Sequence, residues 1–270
     1  QGFEVDIAPV DEKGFVDVRV LASLIRPDTT LVSIMAVNNE IGSIQPIEAI
    51  SELLADKPTI SFHVDAVQAL AKIPTETYLT DRVDFATFSS HKFHGVRGVG
   101  FVYIKSGKKI TPLLTGGGQE GDYRSTTENV AGIAATAKAL RLAMEKLALF
   151  TSKTSQMKAV IRQALLDYPD IFVFSDEEDF APHILTFGIK GVRGEVIVHA
   201  FEDYDIFIST TSACSSKAGK PAGTLIAMGV NKDKAQSAVR LSLDLENDMS
   251  QVEQFLTKLK LIYNQTRKVR

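Results

Sequence analysis

The chain contains a single cysteine, Cys214, set among small hydroxyl residues in Ser209-Thr210-Thr211-Ser212-Ala213-Cys214-Ser215-Ser216. One cysteine cannot close an internal disulfide, so nothing points to an oxidising compartment. Its sulfur is either a small buried hydrophobe, the commonest use, or a nucleophile, which must act as the thiolate. Two other segments favour the second use. Asp65 follows directly on an apolar stretch in His63-Val64-Asp65-Ala66-Val67-Gln68, and Ser89-Ser90-His91-Lys92 closes the stretch Val83-Asp84-Phe85-Ala86-Thr87-Phe88. In an open parallel sheet, ligands gather at the C-terminal ends of the strands. A lysine and a carboxylate delivered to one such rim suit pyridoxal 5'-phosphate (PLP). The cofactor's aldehyde needs a lysine for its Schiff base, and its pyridine nitrogen needs an anionic partner to stay protonated and act as an electron sink. From the residues alone the plainer alternative stays open, in which Asp65 caps a following helix and Lys92 is a surface lysine.

The elements that must position these groups are legible as alternating strand and helix signals. Residues 31–37 form a continuous apolar run, as expected of a strand buried on both faces. Pro46 then opens a helical stretch to Leu54. Residues 59–64, 83–88 and 98–104 are further strands, and residues 2–7 also read as one. Strands separated by helices imply a mainly parallel sheet with helices on both faces, an α/β architecture. A polar, glycine-rich loop over residues 116–127 precedes a long helix expected over 129–149, and a second helix runs to Tyr168. Strands at 171–174 and 183–189, a helix at 195–202, a strand at 238–243 and a last helix from Ser250 follow. The chain thus divides into a large PLP-binding domain, residues 1–148, and a smaller α+β domain, residues 149–270, that carries the Cys214 loop.

Composition excludes several classes. A hydrophobic content of 44% and charged content of 23% are ordinary for a globular protein. The net charge of −3 gives no reason to expect nucleic acid as the main ligand. No apolar run approaches the roughly 18 residues of a membrane span, and no signal peptide is visible, so a cytoplasmic protein is expected. His91 and His94 have a metal-like spacing but no clustered third ligand, so no metal is expected. Gly116-Gly117-Gly118 is followed by no Gly-Lys-Ser/Thr and is not read as a phosphate loop. His63 points to the face opposite Val64 and reads as structural; His183 and His199 carry no motif.

Several ordered motifs together resemble the cysteine desulfurases of the class V aminotransferase branch of the PLP-dependent transferases, fold type I. They are Val37-Asn38-Asn39-Glu40-Ile41-Gly42 with Gln45-Pro46, His63 through Gln68, Ser89-Ser90-His91-Lys92 with Gly95, and Gly116-Gly117-Gly118-Gln119-Glu120. Arg124-Ser125-Thr126-Thr127-Glu128-Asn129-Val130, Ser212-Ala213-Cys214-Ser215-Ser216 and Val239-Arg240-Leu241-Ser242 complete the set, which spans nearly the whole chain. The resemblance implies that Lys92 forms the Schiff base and later moves protons, and that Asp65 pairs with the pyridinium nitrogen. It implies that Asn39 and Gln68 lie near the ring hydroxyl, that Ser89 and His91 hold the phosphate, and that Thr127 reaches the partner subunit's phosphate in a homodimer. It also implies that Arg240, with Asn39, binds the carboxylate-bearing substrate, L-cysteine, a task suited to a planar bidentate donor. The resemblance further implies that Cys214 attacks the substrate sulfur, giving alanine and a persulfide, and hands the sulfur to an acceptor protein for iron–sulfur cluster assembly or tRNA thiolation.

Departures from the family pattern narrow this reading. Thr126 and Thr211 stand where the family commonly has glycine, which removes easy access to positive φ. After Cys214 the sequence Ser215-Ser216-Lys217-Ala218-Gly219-Lys220-Pro221-Ala222 lacks the Leu-Glu-Pro common in general iron–sulfur desulfurases. Its two lysines point to an acidic or RNA-bound acceptor, as in the branch paired with a tRNA-thiolating sulfurtransferase. The resemblance also implies roughly a hundred upstream residues, with a phosphate-binding glycine- and threonine-containing turn and a ring-stacking histidine. Neither motif lies in these 270 residues. The expectation is therefore a fragment with impaired activity and weak or absent PLP binding. The alternatives are a selenocysteine lyase, or a non-catalytic fragment serving only as a dimerisation or acceptor-binding module.

Overall fold

A computed structural model of the chain describes residues 2–211 and 223–268. The chain forms two compact units, each discontinuous in sequence: Asp28–Ala36 with Ile47–Leu147, and Gln1–Pro27 with Val37–Pro46 and Ala148–Arg270. Residues 1–27 and 37–46 thereby group with the C-terminal residues rather than with the remainder of residues 1–148.

The strand expected over residues 2–7 does not form. Phe3, Val5 and Ile7 alternate as a strand's apolar face would, but all three are exposed and pair with no strand among the described residues. The first regular element is α1 (Val18–Leu24), capped by Asp17, whose side chain accepts from the Arg19 and Val20 amides.

The Asp28–Ala36/Ile47–Leu147 unit is built on a four-stranded sheet ordered β1 (Leu31–Met35), β2 (Ser61–Asp65), β3 (Phe85–Ser89), β4 (Gly100–Ile104). The first three strands are parallel, with α2 (Ile47–Leu53) in the crossover from β1 to β2. β4 is antiparallel to β3, because the ten residues between them are too few for a crossover. The pleat sends Val32, Phe62, Val64, Ala86 and Phe88 to a buried face. Ser33, His63, Asp65, Thr87 and Ser89 take the other. Phe88 and Phe101, paired in register across β3 and β4, stack with centroids 4.6 Å apart. α3 (Val130–Glu145) begins where Asn129 accepts from the Gly132 amide at 3.0 Å. It ends at Glu145, short of the helix expected to residue 149, and the next helix starts at Leu147.

The second unit packs α4 (Leu147–Leu166), α5 (Gly194–Glu202) and α8 (Met249–Lys268) around an antiparallel sheet. Its strands are β5 (Ile171–Val173), β6 (Ile184–Ile189), β7 (Ser209–Thr210) and β8 (Ala238–Ser242), in the order β5-β6-β8-β7. Two short helices, α6 (Gly223–Ala227) and α7 (Lys232–Gln236), lie between β7 and β8 in the chain. Every residue of β6 is buried, as expected of a central strand covered on both faces. Helical spacing puts Met157, Ile161 and Leu165 of α4 and Val252, Phe255, Leu259 and Ile262 of α8 into that core. Among the described residues no helix is long and apolar enough to cross a membrane.

α4 also buries an amine. Lys158 is 4% exposed and donates to the Ala181 carbonyl at 3.0 Å. Burial, reinforced by the nearby Arg162 charge, pushes its pKa down to about 8, while Asp176 and Glu177 act against the shift. The unfolded chain thus binds the extra proton between about pH 8 and the ordinary lysine value, and the charged lysine costs stability throughout the range below it. Lys158→Met is therefore expected to stabilise the fold by about 1–2 kcal/mol at neutral pH, after loss of one hydrogen bond. The gain should fade as pH rises from 8 to 10.5 in denaturant titrations. A gain independent of pH would count against the charge as its source.

Candidate active site

Parallel pairing of β2 and β3 brings their polar C-terminal ends to one edge of the sheet. Asp65 closes β2, opposite Thr87 of β3, and Ser89 ends β3 two residues further on. Asp65 is exposed, and its Oδ1 accepts from the Val67 amide at 3.0 Å. No helix follows it, only a series of turns over residues 67–73, so Asp65 closes a local turn and does not cap a helix. Gln68 lies partly buried in these turns.

Directly after β3, a 3-10 helix (Ser90–Phe93) carries His91 on an exposed position and Lys92 on a half-buried one. It is locked on both sides. Ser90 Oγ shares a 2.9 Å hydrogen bond with Thr136 Oγ1 of α3, and the buried Phe93 anchors its end. His94 then turns the chain through a left-handed conformation, φ 64°. At Gly95 a Cβ would collide with the Ser90 side chain, which explains the glycine. Thr127 is exposed, two residues before the Asn129 cap of α3. Thr126, one of the two threonines that replace a family glycine, is not among the residues with positive φ.

The site face of the sheet also holds His63, expected to be structural, in a polar row whose other members, Ser33 and Thr87, sequence reasoning missed. His63 Nδ1 lies 2.7 Å from Ser33 Oγ of β1, and Nε2 lies 3.1 Å from Thr87 Oγ1 of β3. Burial pushes the His63 pKa below its ordinary value, although the charge of Asp65 pulls the other way. A signal lies in the strands: Ser33, the register partner of His63, is the one polar residue of β1, and Thr87 lies two residues along β3 from the partner of His63, Phe85.

The remaining expected site residues belong to the other unit. Asn39 sits in the turn of residues 38–42, and Arg240 of β8 donates from Nη1 to the Asn39 carbonyl at 2.8 Å. These two are therefore brought together. Arg240 pairs in register with Thr186 of β6 and Ser209 of β7. Cys214 lies outside the described residues.

The donor set at the β2/β3 edge fits PLP: a carboxylate, an amine, and hydroxyl and imidazole groups able to hold a phosphate, all from consecutive strand ends. Comparison with known proteins agrees. Residues 1–255 match the family model for class-V aminotransferases. A NifS/IcsS protein homolog of Lactobacillus delbrueckii subsp. bulgaricus is 50% identical over 269 residues, covering 99% of this chain and 70% of that protein. A cysteine desulfurase IscS of Clostridium botulinum is 38% identical over 272 residues, covering 100% of this chain and 68% of its own length. A solved structure of a NifS-like protein superposes with a TM-score of 0.88 at 37% identity, over 97% of this chain and 69% of that one. The chain belongs to the class-V aminotransferase family. Within it, the chain falls among the PLP-dependent cysteine desulfurases of the NifS/IscS group.

The His63 row generates a pH test. Because its folded pKa is depressed, unfolded His63 takes up a proton first, so stability present above the ordinary value of 6.5 declines as pH falls below it. His63→Gln should remove this contribution. The gap in denaturation midpoint between parent and variant should then narrow from pH 8 to pH 5. A gap that widens would mean that His63 is stabilised as the cation.

Proposed function

We propose that the chain converts L-cysteine to L-alanine and receives the released sulfur on Cys214 as a persulfide. The observation that carries the reading is the convergence of Asp65 with Ser89, His91 and Lys92 on one edge of the sheet. PLP, when bound, supplies the electron sink that allows protons to leave and return at the substrate carbons. In this reading Asp65 would present an anion to the ring nitrogen, Gln68 and Asn39 would serve the ring hydroxyl, and Ser89 and His91 would hold the phosphate. Lys92 would hold the cofactor through its amine and would move a proton at the substrate Cα. Arg240 grips the substrate carboxylate through its planar fork.

Cys214 loses its proton and attacks the substrate sulfur. The Cβ–S bond breaks, a sulfur–sulfur bond forms to Cys214, and Cβ gains a proton as alanine leaves. The carbon is reduced and the transferred sulfur oxidised, so no external oxidant or reductant enters. A reducing, cytoplasmic setting suits a thiol that must cycle in this way.

A homodimer, with Thr127 reaching the partner subunit's phosphate, belongs to the same proposal. Its support is the exposed apolar surface of Phe101, Val102 and Tyr103 on β4 and of Val130 and Ile133 on α3. For the acceptor, the lysines at 217 and 220 favour an acidic or RNA-bound protein of tRNA thiolation over an iron–sulfur scaffold. Equal rates of sulfur transfer to both acceptors would remove that preference.

The central test is mass analysis of the peptide containing Cys214 after incubation with PLP and L-cysteine. One added sulfur atom per released alanine is expected. Cys214→Ser should lower alanine release by about a hundredfold or more, and Lys92→Ala should abolish both products. Alanine release by Cys214→Ser at the parental rate would overturn the assignment.

A further inference from the structure

The turn of residues 38–42 is held by a set of side-chain hydrogen bonds. Asn38 is buried, and its Oδ1 accepts from the amides of Glu40 at 2.8 Å and Ile41 at 3.0 Å. The carbonyls that follow are taken by side chains from the sheet of the same unit: Asn39 by Arg240, and Glu40 by Thr186 at 2.5 Å. The turn reaches out as well as being held. Glu40 Oε2 accepts from the Thr224 amide at 3.0 Å, and Asn38 Nδ2 donates to Thr224 Oγ1 at 3.2 Å.

Thr224 is the second residue after the 212–222 segment that bears Cys214, and it stands in the first turn of α6, where amides have no intrahelical acceptor. On the upstream side, Ser209 and Thr210 pair with Arg240 and Val239 of β8. Both flanks of the cysteine segment are therefore referenced to one turn: the upstream flank through Arg240, the downstream flank through the Glu40 carboxylate. We propose that Glu40 is a positioning residue for sulfur transfer, fixing the downstream flank of the Cys214 segment to the turn that carries Asn39. The inference rests on the reading of Cys214 as the sulfur acceptor.

A carboxylate suits this task because its charge strengthens the bond to an amide donor. A glutamine retains an acceptor oxygen without the charge, and an alanine retains neither. Transfer between two sulfur atoms needs near-attack geometry, so a displaced flank should slow persulfide formation more than substrate binding.

Two readouts test the proposal. First, without cofactor or substrate, amide hydrogen exchange over residues 223–228 should quicken by about tenfold in Glu40→Ala and stay near parental in Glu40→Gln. Second, with PLP and L-cysteine, persulfide formation on Cys214 should fall by about tenfold in Glu40→Ala, with pyridoxal content and the KM for cysteine little changed, and should be largely restored in Glu40→Gln. Should Glu40→Ala not fold, Thr224→Pro removes the same amide from the other side, at a first-turn position that tolerates proline, and should reproduce both effects. Unchanged exchange, or persulfide formation at the parental rate, would overturn the proposal. Failure of the parent chain to form any persulfide would instead overturn the Cys214 reading beneath it.

Discussion

Asp84 is buried just before β3, and its carboxylate accepts from the Phe62 amide at 2.9 Å and from Arg82 at 2.8 Å, with Lys108 at 3.2 Å. Burial works to raise its pKa, but the amide and the two cations outweigh that and hold it below the ordinary carboxylate value. Arg82 also donates to the carbonyls of Leu54, Lys57 and Ile60, which close the connection from α2 into β2. The group thus pins β2 against β3 at the end of the sheet opposite the candidate site. Because side chains alternate along a strand, a slip of one residue would turn Asp65 and Ser89 to the buried face. An ion cluster remote from the chemistry therefore decides which residues reach the edge where the chemistry would occur.

A comparable logic holds the turn of residues 38–42 in the other unit, by different means. Arg240, Thr186 and Ser175 each capture one of three successive carbonyls, those of Asn39, Glu40 and Ile41. A tight turn packed against a sheet would otherwise leave these carbonyls without partners, at a cost comparable to lost hydrogen bonds. Thr186 and Arg240 are register partners on β6 and β8, so the antiparallel pairing of two strands fixes the spacing at which the turn is grasped. The polar side chains on these strands are thus structural before they are anything else, and Arg240 serves both ends.

Much of the architecture was legible because burial leaves a direct trace in composition. The apolar stretches that became β1, β2, β3, β6 and β8 stand out, as do the apolar faces of α4 and α8, since each must remove hydrocarbon from water. The strand expected over residues 2–7 shows the limit of that trace. Alternation in Phe3, Val5 and Ile7 is necessary for a half-buried strand but does not supply a neighbour to pair with. The antiparallel direction of β4 follows from connection length rather than from its own residues. The polar contacts were less legible still. Asp84 reads locally as a charge interrupting a strand, Ser33 as a minor residue in an apolar run, and Glu40 as one letter of a motif. Each has a partner between 22 and 184 positions away that its local sequence does not announce. Pattern along the chain reports which face a residue takes; it does not report what waits on that face.

The electrostatics of the site face follow from this same register. His63 and Asp65 project from one side of β2, with the imidazole set between two hydroxyls and partly shielded from water. A protonated His63 would place a positive charge near Asp65 and offset the negative charge that the proposed role of Asp65 requires. Held neutral by burial, His63 fills the row and satisfies Ser33 and Thr87 without drawing on that charge. Lysine or arginine at this position would make similar contacts with the hydroxyls yet would weaken the field at the edge. The choice of an imidazole with a depressed pKa is thus intelligible as a polar spacer: it hydrogen-bonds like a charged residue and leaves the carboxylate as the dominant charge on that part of the sheet.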